Sequence, residues 1–117
     1  YKRQILKGGL VMSIRLNNSN FAEETATGVA LIDFFAEWCG PCHQMSPVIE
    51  ELATEYNGVV KVCKVDVDEA QDLAIQFGIM SIPAIFVLKD GKVAAQFIGV
   101  TAKSDLVSAI KAAQGIA

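Results

Sequence analysis

The chain has 117 residues, of which 52% are hydrophobic and 20% are charged, a length that suits one domain with an apolar core and no disulfide scaffold. Its formal net charge is −3, with no basic cluster beyond the first residues, which argues against nucleic acid or an anionic membrane as a partner. No apolar run approaches the roughly 20 residues that cross a bilayer. Only two of the three cysteines are spaced for pairing. This favours a reducing compartment, and we expect the cytoplasm.

Residues 1–11 lack the hydrophobic pattern of the rest of the chain. They carry Lys2, Arg3 and Lys7 before a pair of glycines, and we interpret them as an N-terminal extension or an artificial leader. The end of a transit peptide is the alternative, which the basic charge permits. Met12 is a candidate natural start, so we predict a single domain over residues 12–117.

The first predicted elements are a short strand over Ile14 to Leu16 and a helix over Phe21 to Ala26. The cluster Asn18-Ser19-Asn20 offers caps for this helix. Residues Val29 to Ala36 follow and are apolar except for one acid, Asp33. Such a run is typical of a strand that is covered on both faces in an α/β sheet.

This strand leads into Trp38-Cys39-Gly40-Pro41-Cys42, two cysteines at the predicted start of a helix. Unpaired backbone amides at a helix N-terminus carry partial positive charge, which favours thiolate over thiol. We therefore predict that Cys39 is a nucleophile. Pro41 suits the first turn because it has no amide hydrogen to lose there. Cys42, about one turn inward, is expected to be better shielded and to act as the resolving thiol.

The helix that begins near Pro41 is predicted from apolar residues at helical spacing. These residues are Met45, Ile49, Leu52, Ala53 and Tyr56. Its exposed side is expected to carry Glu50, Glu51 and Glu55. Pro47 lies inside the pattern, so we expect it to bend the helix axis rather than end the helix.

The second half of the chain continues the alternation of strands and helices. A valine-rich run over Val59 to Val67 predicts an interior strand, and a helix is predicted from Glu69 to Phe77. Two strand-like runs, Ala84 to Leu88 and Val93 to Phe97, flank Asp90-Gly91, a strong signal for an antiparallel hairpin.

A final helix is expected over Lys103 to Ala113, with Thr101 or Ser104 as its cap. The predicted order of elements is therefore β-α-β-α-β-α-β-β-α. Early parallel crossovers and a late hairpin imply an α/β fold with a central mixed five-stranded sheet and four helices on its two faces.

Residues 30–42 and three later segments resemble the thioredoxin family. The first stretch holds Asp33 and the cysteine motif, and the later matches are Lys64-Val65-Asp66-Val67-Asp68, Ile79-Met80-Ser81-Ile82-Pro83 and Gly99. The resemblance covers about Ser13 to the C-terminus. It implies the thioredoxin fold and dithiol–disulfide exchange with protein substrates, through a redox-active disulfide between Cys39 and Cys42 and without another cofactor or a metal. It also implies a thioredoxin reductase as a partner.

Three positions depart from the family pattern. Phe35 stands where a second tryptophan is frequent, His43 where lysine or arginine is common, and Ala84 where threonine is usual. The first and third changes alter packing and shape around the site rather than the two sulfurs, so they bear on specificity more than on chemistry.

Asp33 is an acid in a strand otherwise suited to burial, and a desolvated carboxyl should keep its proton to a higher pH than usual. From composition alone, a catalytic carboxyl and a carboxylate satisfied by the backbone or by Lys64 are equally open interpretations. The resemblance favours catalysis, with Asp33 as proton acceptor for Cys42 and Lys64 close to it. The alternative for Lys64 is a strand residue that points to solvent.

Pro83 precedes a predicted strand, where a trans peptide bond is the usual expectation. The resemblance implies instead a cis Ile82-Pro83 bond that faces the cysteines and an Ile82 backbone open to an extended client. Client docking would then use an apolar rim around Cys39, formed by Trp38, Gly40, Pro41, Ile82, Gly99 and Val100. Trp38 belongs to the core in the alternative interpretation.

Two cofactor sites compete for the cysteine motif. A lone C-x-x-C is half of a zinc site, with Cys63 and His43 as remaining ligands, but no second C-x-x-C exists and Cys63 suits a buried strand as a small hydrophobe. Residues 39–43 also satisfy C-x-x-C-H, the attachment pattern of c-type haem, yet an α/β edge offers haem little room. We predict neither cofactor and interpret His43 as an exposed helix residue.

These features predict a monomeric protein-disulfide reductase, an electron carrier in cell redox homeostasis. A disulfide oxidase or isomerase is one alternative. Pro41 disfavours it, because a cationic residue such as histidine at this position would stabilise the thiolate further and make the protein more oxidising. A non-catalytic binding module that uses the apolar rim is the other.

Overall fold

The computed structural model describes residues 11–115, so all of the predicted leader except Val11 lies outside the described residues. This part of the chain contains five strands and four helices. They are β1 (Ile14–Leu16), α1 (Phe21–Thr25), β2 (Val29–Phe35), α2 (Gly40–Glu55), β3 (Lys61–Asp66), α3 (Gln71–Gln76), β4 (Ala84–Lys89), β5 (Lys92–Ile98) and α4 (Lys103–Gln114). The predicted order of elements is confirmed.

The strands form one mixed sheet in the order β1-β3-β2-β4-β5. β3 pairs in parallel with β1 and β2, while β4 pairs in antiparallel fashion with β2 and β5. β2 is the central strand and all of its residues are buried, as its apolar run predicts. The expected α/β fold with a mixed five-stranded sheet is therefore confirmed.

Each face of the sheet is covered by a helical layer. On one face α1 and α3 pack on an aromatic cluster whose ring centroids lie 5.1–5.5 Å apart. Its members are Phe21, Phe34, Phe77 and Phe86. On the other face α2 and α4 bury Ile49, Leu106 and Ile110 against strand residues that include Leu31. Because both faces are packed, the end of β2 that leads to the cysteines is held firmly in place.

The turn between β4 and β5 forms as the Asp-Gly signal predicts. Asp90 has φ 51° and Gly91 has φ 80°, and two positive φ angles are the requirement of a type I′ hairpin turn. The Asp90 carboxylate also accepts a hydrogen bond from the Gly28 backbone N–H at 2.7 Å. The hairpin is thus tied to the start of the central strand.

The predicted helix caps are wrong. The cap position of α4 is Ala102, with no side-chain cap bond, because the Thr101 hydroxyl donates instead to the Gly99 carbonyl at 3.0 Å. Asn20 occupies the cap position of α1 but does not cap it, because its side-chain oxygen accepts from the Asn17 N–H at 2.8 Å. In both places the polar side chain stabilises the loop rather than the helix.

Helix α2 continues through Pro47, as expected from the apolar spacing, and the bend expected there stays a prediction. Within residues 11–115, no helix combines the length and the apolar character needed to cross a bilayer.

Candidate active site

The two cysteines lie at the junction of β2 and α2. Cys39 occupies the N-cap of α2 and forms a disulfide with Cys42, the two Cα atoms being 5.3 Å apart. The Cys42 backbone N–H donates a hydrogen bond to Cys39 Sγ at 3.2 Å. An amide with no partner inside the helix therefore points at the sulfur that the sequence predicts to be the nucleophile.

The surroundings of the two sulfurs are apolar. Cys39 and Cys42 belong to one buried cluster with Phe35 and Ala36, and Val67 and Ile82 pack against this cluster. Cys39 and Cys42 are each only 4% exposed, so the prediction that Cys42 is better shielded than Cys39 is wrong for the disulfide form. The loop at Ile82 lies over Cys39 and shields it. The position of this loop depends on the tertiary fold rather than on the sequence around the cysteines.

The loop before β4 faces Cys39 directly. Its Ile82-Pro83 peptide bond is cis, as the family resemblance implied, and the Ile82 carbonyl oxygen lies 3.8 Å from Cys39 Sγ. The Gly99 N–H donates to the Pro83 carbonyl at 2.8 Å. The loop before β4 thus contacts Cys39 and is itself hydrogen-bonded to the segment that follows β5.

The six residues predicted to form the apolar rim differ in exposure. Trp38 is 72% exposed, so the core alternative for this residue is wrong, and its indole N–H donates to Asp68 Oδ2 at 2.9 Å. The other members are exposed at Gly40, Pro41 and Val100 and half-buried at Ile82 and Gly99. The rim is therefore a largely accessible apolar surface beside the disulfide.

Asp33 is the buried acid of the site, with 1% exposure. Neither of its carboxyl oxygens has a hydrogen-bond partner among the described residues. The alternative of a carboxylate satisfied by the backbone or by Lys64 is therefore wrong. Burial disfavours the charged form and raises the pKa of Asp33 from 3.8 to about 7.

Two charged residues on neighbouring elements oppose each other in their effect on Asp33. Lys64 of β3 lies directly opposite Asp33 in the strand register, and its positive charge lowers the Asp33 pKa, while Glu50 of α2 raises it. Lys64 is half-buried rather than pointing fully to solvent.

The predicted exposed position of Glu50 is wrong. The residue is half-buried, and its carboxylate accepts hydrogen bonds from the Ser13 N–H at 2.8 Å and the Ser13 hydroxyl at 2.7 Å. Helical periodicity could not reveal this contact, because it depends on the path of the chain that enters β1.

Comparison with known proteins agrees with this geometry. The protein-family model described as Thioredoxin matches residues 12–112. The chain belongs to the thioredoxin family. Among its relatives, the thioredoxin of Bacillus subtilis is 45% identical over 93 residues, which cover 80% of this chain and 89% of that protein. The thioredoxin of Staphylococcus saprophyticus is 42% identical over 98 residues, covering 84% and 94%. That of Pseudomonas aeruginosa is 39% identical over 101 residues, covering 85% and 94%.

Membership of the thioredoxin family decides the chemistry of the cysteine pair. The protein is a thiol-disulfide oxidoreductase that reduces protein disulfides by dithiol–disulfide exchange through Cys39 and Cys42. Thioredoxins use the redox-active disulfide itself and need no other cofactor. The haem and binding-module interpretations are therefore set aside.

The residues invoked for the zinc alternative lie apart in the thioredoxin fold. Cys63 is fully buried in β3, within the core shared with α1 and α3, as its apolar setting predicts. His43 is exposed on α2, with Nε2 2.7 Å from the Glu37 carbonyl oxygen. In residues 11–115 no three His, Cys, Asp or Glu side chains come together as potential metal ligands.

Proposed function

We propose that this thioredoxin-family protein is a general reductant of client proteins in the cytoplasm, that it acts as a monomer, and that a thioredoxin reductase restores its dithiol. Cys39 is the attacking residue and Cys42 the resolving one. The observation that carries this assignment is the hydrogen bond from the Cys42 N–H to Cys39 Sγ at 3.2 Å. Once the disulfide is reduced, the same amide and the dipole of α2 favour a thiolate at Cys39.

The reaction consists of two exchange steps. The Cys39 thiolate attacks one sulfur of a client disulfide, forms a mixed disulfide and releases the other client sulfur as a thiolate. Cys42 then loses its proton and attacks Cys39 Sγ, so the mixed disulfide breaks and the second client sulfur leaves as a thiolate. Both client thiolates take up protons from solvent. Two electrons pass from the dithiol to the client, and the protein is left with the Cys39–Cys42 disulfide.

Asp33 accepts the Cys42 proton in the second step. Support comes from a carboxyl that is buried, has no hydrogen-bond partner among the described residues and has a pKa of about 7. A base with a pKa near the working pH is present in the ionised form and still strong enough to take a proton. Lys64 assists because its positive charge favours the ionised carboxyl.

The apolar rim is the docking surface for the client. An extended client segment would pass over Trp38 and Val100, with its backbone paired to Ile82 beside the cis Pro83 bond. The negative net charge of the chain suits a protein partner better than nucleic acid or an anionic membrane. Pro41 between the cysteines suits a reductant rather than an oxidase.

The assignment of the two cysteines predicts that a Cys42→Ser variant traps clients. Cys39 can still attack, but the serine hydroxyl cannot displace the client, so a mixed disulfide should accumulate. We expect an adduct with a disulfide-containing protein on non-reducing gels, and it should disappear with dithiothreitol. Peptide mass spectrometry should place the client on Cys39.

The matched controls use the third cysteine. A Cys42→Ser/Cys63→Ala variant should trap as well as Cys42→Ser, and a Cys39→Ser/Cys42→Ser variant should trap nothing. An adduct on Cys63, or no adduct with any disulfide substrate, would overturn the roles given to Cys39 and Cys42.

A further inference from the structure

Three adjacent strands place two cations and the buried acid in one row across the sheet. Arg15 of β1 lies opposite Lys64 of β3, which lies opposite Asp33 of β2. Neighbouring strands lie about 5 Å apart, and residues at paired positions project from the same face of the sheet. The row is therefore a short line of charge that ends at the proposed proton acceptor.

The ring of Phe35 adjoins this row. Phe35 is two residues beyond Asp33 on β2, so both side chains project from the same face, and it is 5% exposed. The Lys64 ammonium lies 4.4 Å from the centre of the ring, and the guanidinium carbon of Arg15 lies 5.4 Å from it. Both distances are within the roughly 6 Å over which a cation is attracted to an aromatic face.

The two cations differ in their other partners. Arg15 forms ion pairs with three carboxylates at 3.1–3.8 Å, namely Glu37, Asp66 and Glu69. For Lys64, no carboxylate oxygen of residues 11–115 lies within 4 Å of the ammonium. The ring of Phe35 is thus the contact that holds the head of the Lys64 side chain.

We propose that Phe35 is a positioning residue, which holds the Lys64 ammonium beside Asp33 and so sets the pH range over which the second exchange step runs. The inference rests on the role proposed above for Asp33. A lysine head is strongly hydrated and moves to water on its flexible stem when nothing retains it. Without the ring, the positive charge leaves the neighbourhood of the buried carboxyl.

The position of the Lys64 ammonium matters because it and Glu50 have opposite effects on the pKa of Asp33. Glu50 of α2 is anchored by its two hydrogen bonds from Ser13, so its opposing charge is fixed, and Cys42 on the same helix is the proton donor of the reduced state. Across the sheet Asp33 faces the uncharged Ile85 of β4, and the residues that α4 buries on this face, Leu106 and Ile110, are uncharged as well. Arg15 and Asp66, further along the same face, pair with each other at 3.3 Å. Of the two charged residues that shift the Asp33 pKa, Lys64 and Glu50, Lys64 is the one whose charged group lies over an aromatic ring.

A Phe35→Leu variant tests the proposal, because leucine keeps an apolar side chain and removes the aromatic face. The carboxyl carbon of Asp33, followed by carbon-13 NMR in the reduced protein, should titrate about 0.5 pH unit higher than in the wild type. The pH profile of client release from the mixed disulfide should move by the same amount. No shift, or a downward shift, would overturn the proposal.

A double-mutant cycle shows whether the effect passes through Lys64. Lys64→Met keeps the length of the side chain but removes its charge, and it should raise the Asp33 titration by about 1 unit. Phe35→Leu added to Lys64→Met should then have no further effect. A full additional shift in the double variant would mean that the ring acts on Asp33 without Lys64, which contradicts the positioning role.

Replacing Phe35 site-specifically with pentafluorophenylalanine covers the case in which the leucine variant folds poorly. This residue nearly keeps the shape of the ring but reverses its quadrupole, so it should repel the ammonium and shift the titration upward. An unchanged titration in a folded protein would refute the proposal. If Asp33 titrates as expected but client release does not follow its titration even in the wild type, the role of Asp33 as proton acceptor fails instead.

Discussion

Replacing Cys39 with serine should reduce the insulin-reduction activity of this protein, measured by turbidity with dithiothreitol as electron donor, to the rate of dithiothreitol alone. We expect a loss of at least about a thousandfold in the catalysed rate. A serine hydroxyl is not ionised at neutral pH, even beside the Cys42 amide, so it cannot open a client disulfide. Dithiothreitol also reduces the Cys39–Cys42 disulfide of the wild type, so under the assay conditions the two proteins differ by one atom and should fold equally well.

The control for this prediction is Cys63→Ala. Cys63 is fully buried and is not part of the disulfide. Its replacement by alanine should lower the free energy of unfolding somewhat but leave the rate of insulin reduction within about twofold of the wild type. Activity retained in Cys39→Ser, or lost in a folded Cys63→Ala variant, would contradict the assignment of the nucleophile.

Replacing Asp33 with asparagine should stabilise the oxidised protein increasingly as the pH rises. In the folded state burial raises the pKa of Asp33 to about 7, whereas an aspartate in the unfolded chain has its ordinary pKa of 3.8. Below pH 3.8 Asp33 is protonated in both the folded and the unfolded state, so it does not lower the free energy of unfolding of the wild type. As the pH rises from 3.8 to 7, Asp33 is ionised in the unfolded state only, so the free energy of unfolding of the wild type falls. Above pH 7 both states are ionised and Asp33 lowers it no further. At about 1.4 kcal/mol per pH unit, the deficit reaches about 4 kcal/mol.

Denaturant unfolding at pH 4 and pH 8 measures this effect. The difference in the free energy of unfolding between Asp33→Asn and wild type should grow by about 4 kcal/mol between the two pH values, which separates the charge from any packing effect of the amide. Release of a client from the mixed disulfide should slow about a hundredfold, while its formation should not change. Equal stability differences at both pH values would contradict the burial argument, and unchanged release would remove Asp33 from catalysis.

The other buried aspartate is the matched control. Asp66 is 5% exposed, but its carboxylate pairs with Arg15 at 3.3 Å and accepts the Asp68 N–H at 2.8 Å. Asp66→Asn removes the charge that faces Arg15, so it should lower the free energy of unfolding at pH 8 by about 1 kcal/mol. At pH 8, Asp33→Asn should therefore raise the free energy of unfolding and Asp66→Asn should lower it.

Several features could be predicted because they depend on short stretches of sequence. The apolar run of β2 predicted a central strand, one acid within it predicted a desolvated carboxyl, and Asp90-Gly91 predicted the hairpin turn. The placement of Cys39 at the start of α2 followed from the strand, the cysteine spacing and Pro41. The cis bond before Pro83 came from the family resemblance alone, since the local sequence favoured trans.

Other features depend on which strands become neighbours, and local patterns do not contain that information. The contact of Lys64 with Phe35 requires the parallel register of β2 and β3, and Arg15 joins them only because β1 pairs on the far side of β3. The burial of Glu50 requires Ser13 to pass over α2. The caps expected at Thr101 and Asn20 failed because each side chain had a competing acceptor or donor in its own loop.

In the reduced protein we expect α2 to keep the Cys39 sulfur ionised. Alkylation by iodoacetamide as a function of pH, with the modified residue identified by peptide mass spectrometry, tests this most directly. We predict that Cys39 reacts with an inflection at least one unit below the value of about 8.5 for a free cysteine. An inflection at or above 8.5 would mean that α2 does not favour a thiolate at Cys39, and the reaction proposed for this cysteine would fail with it.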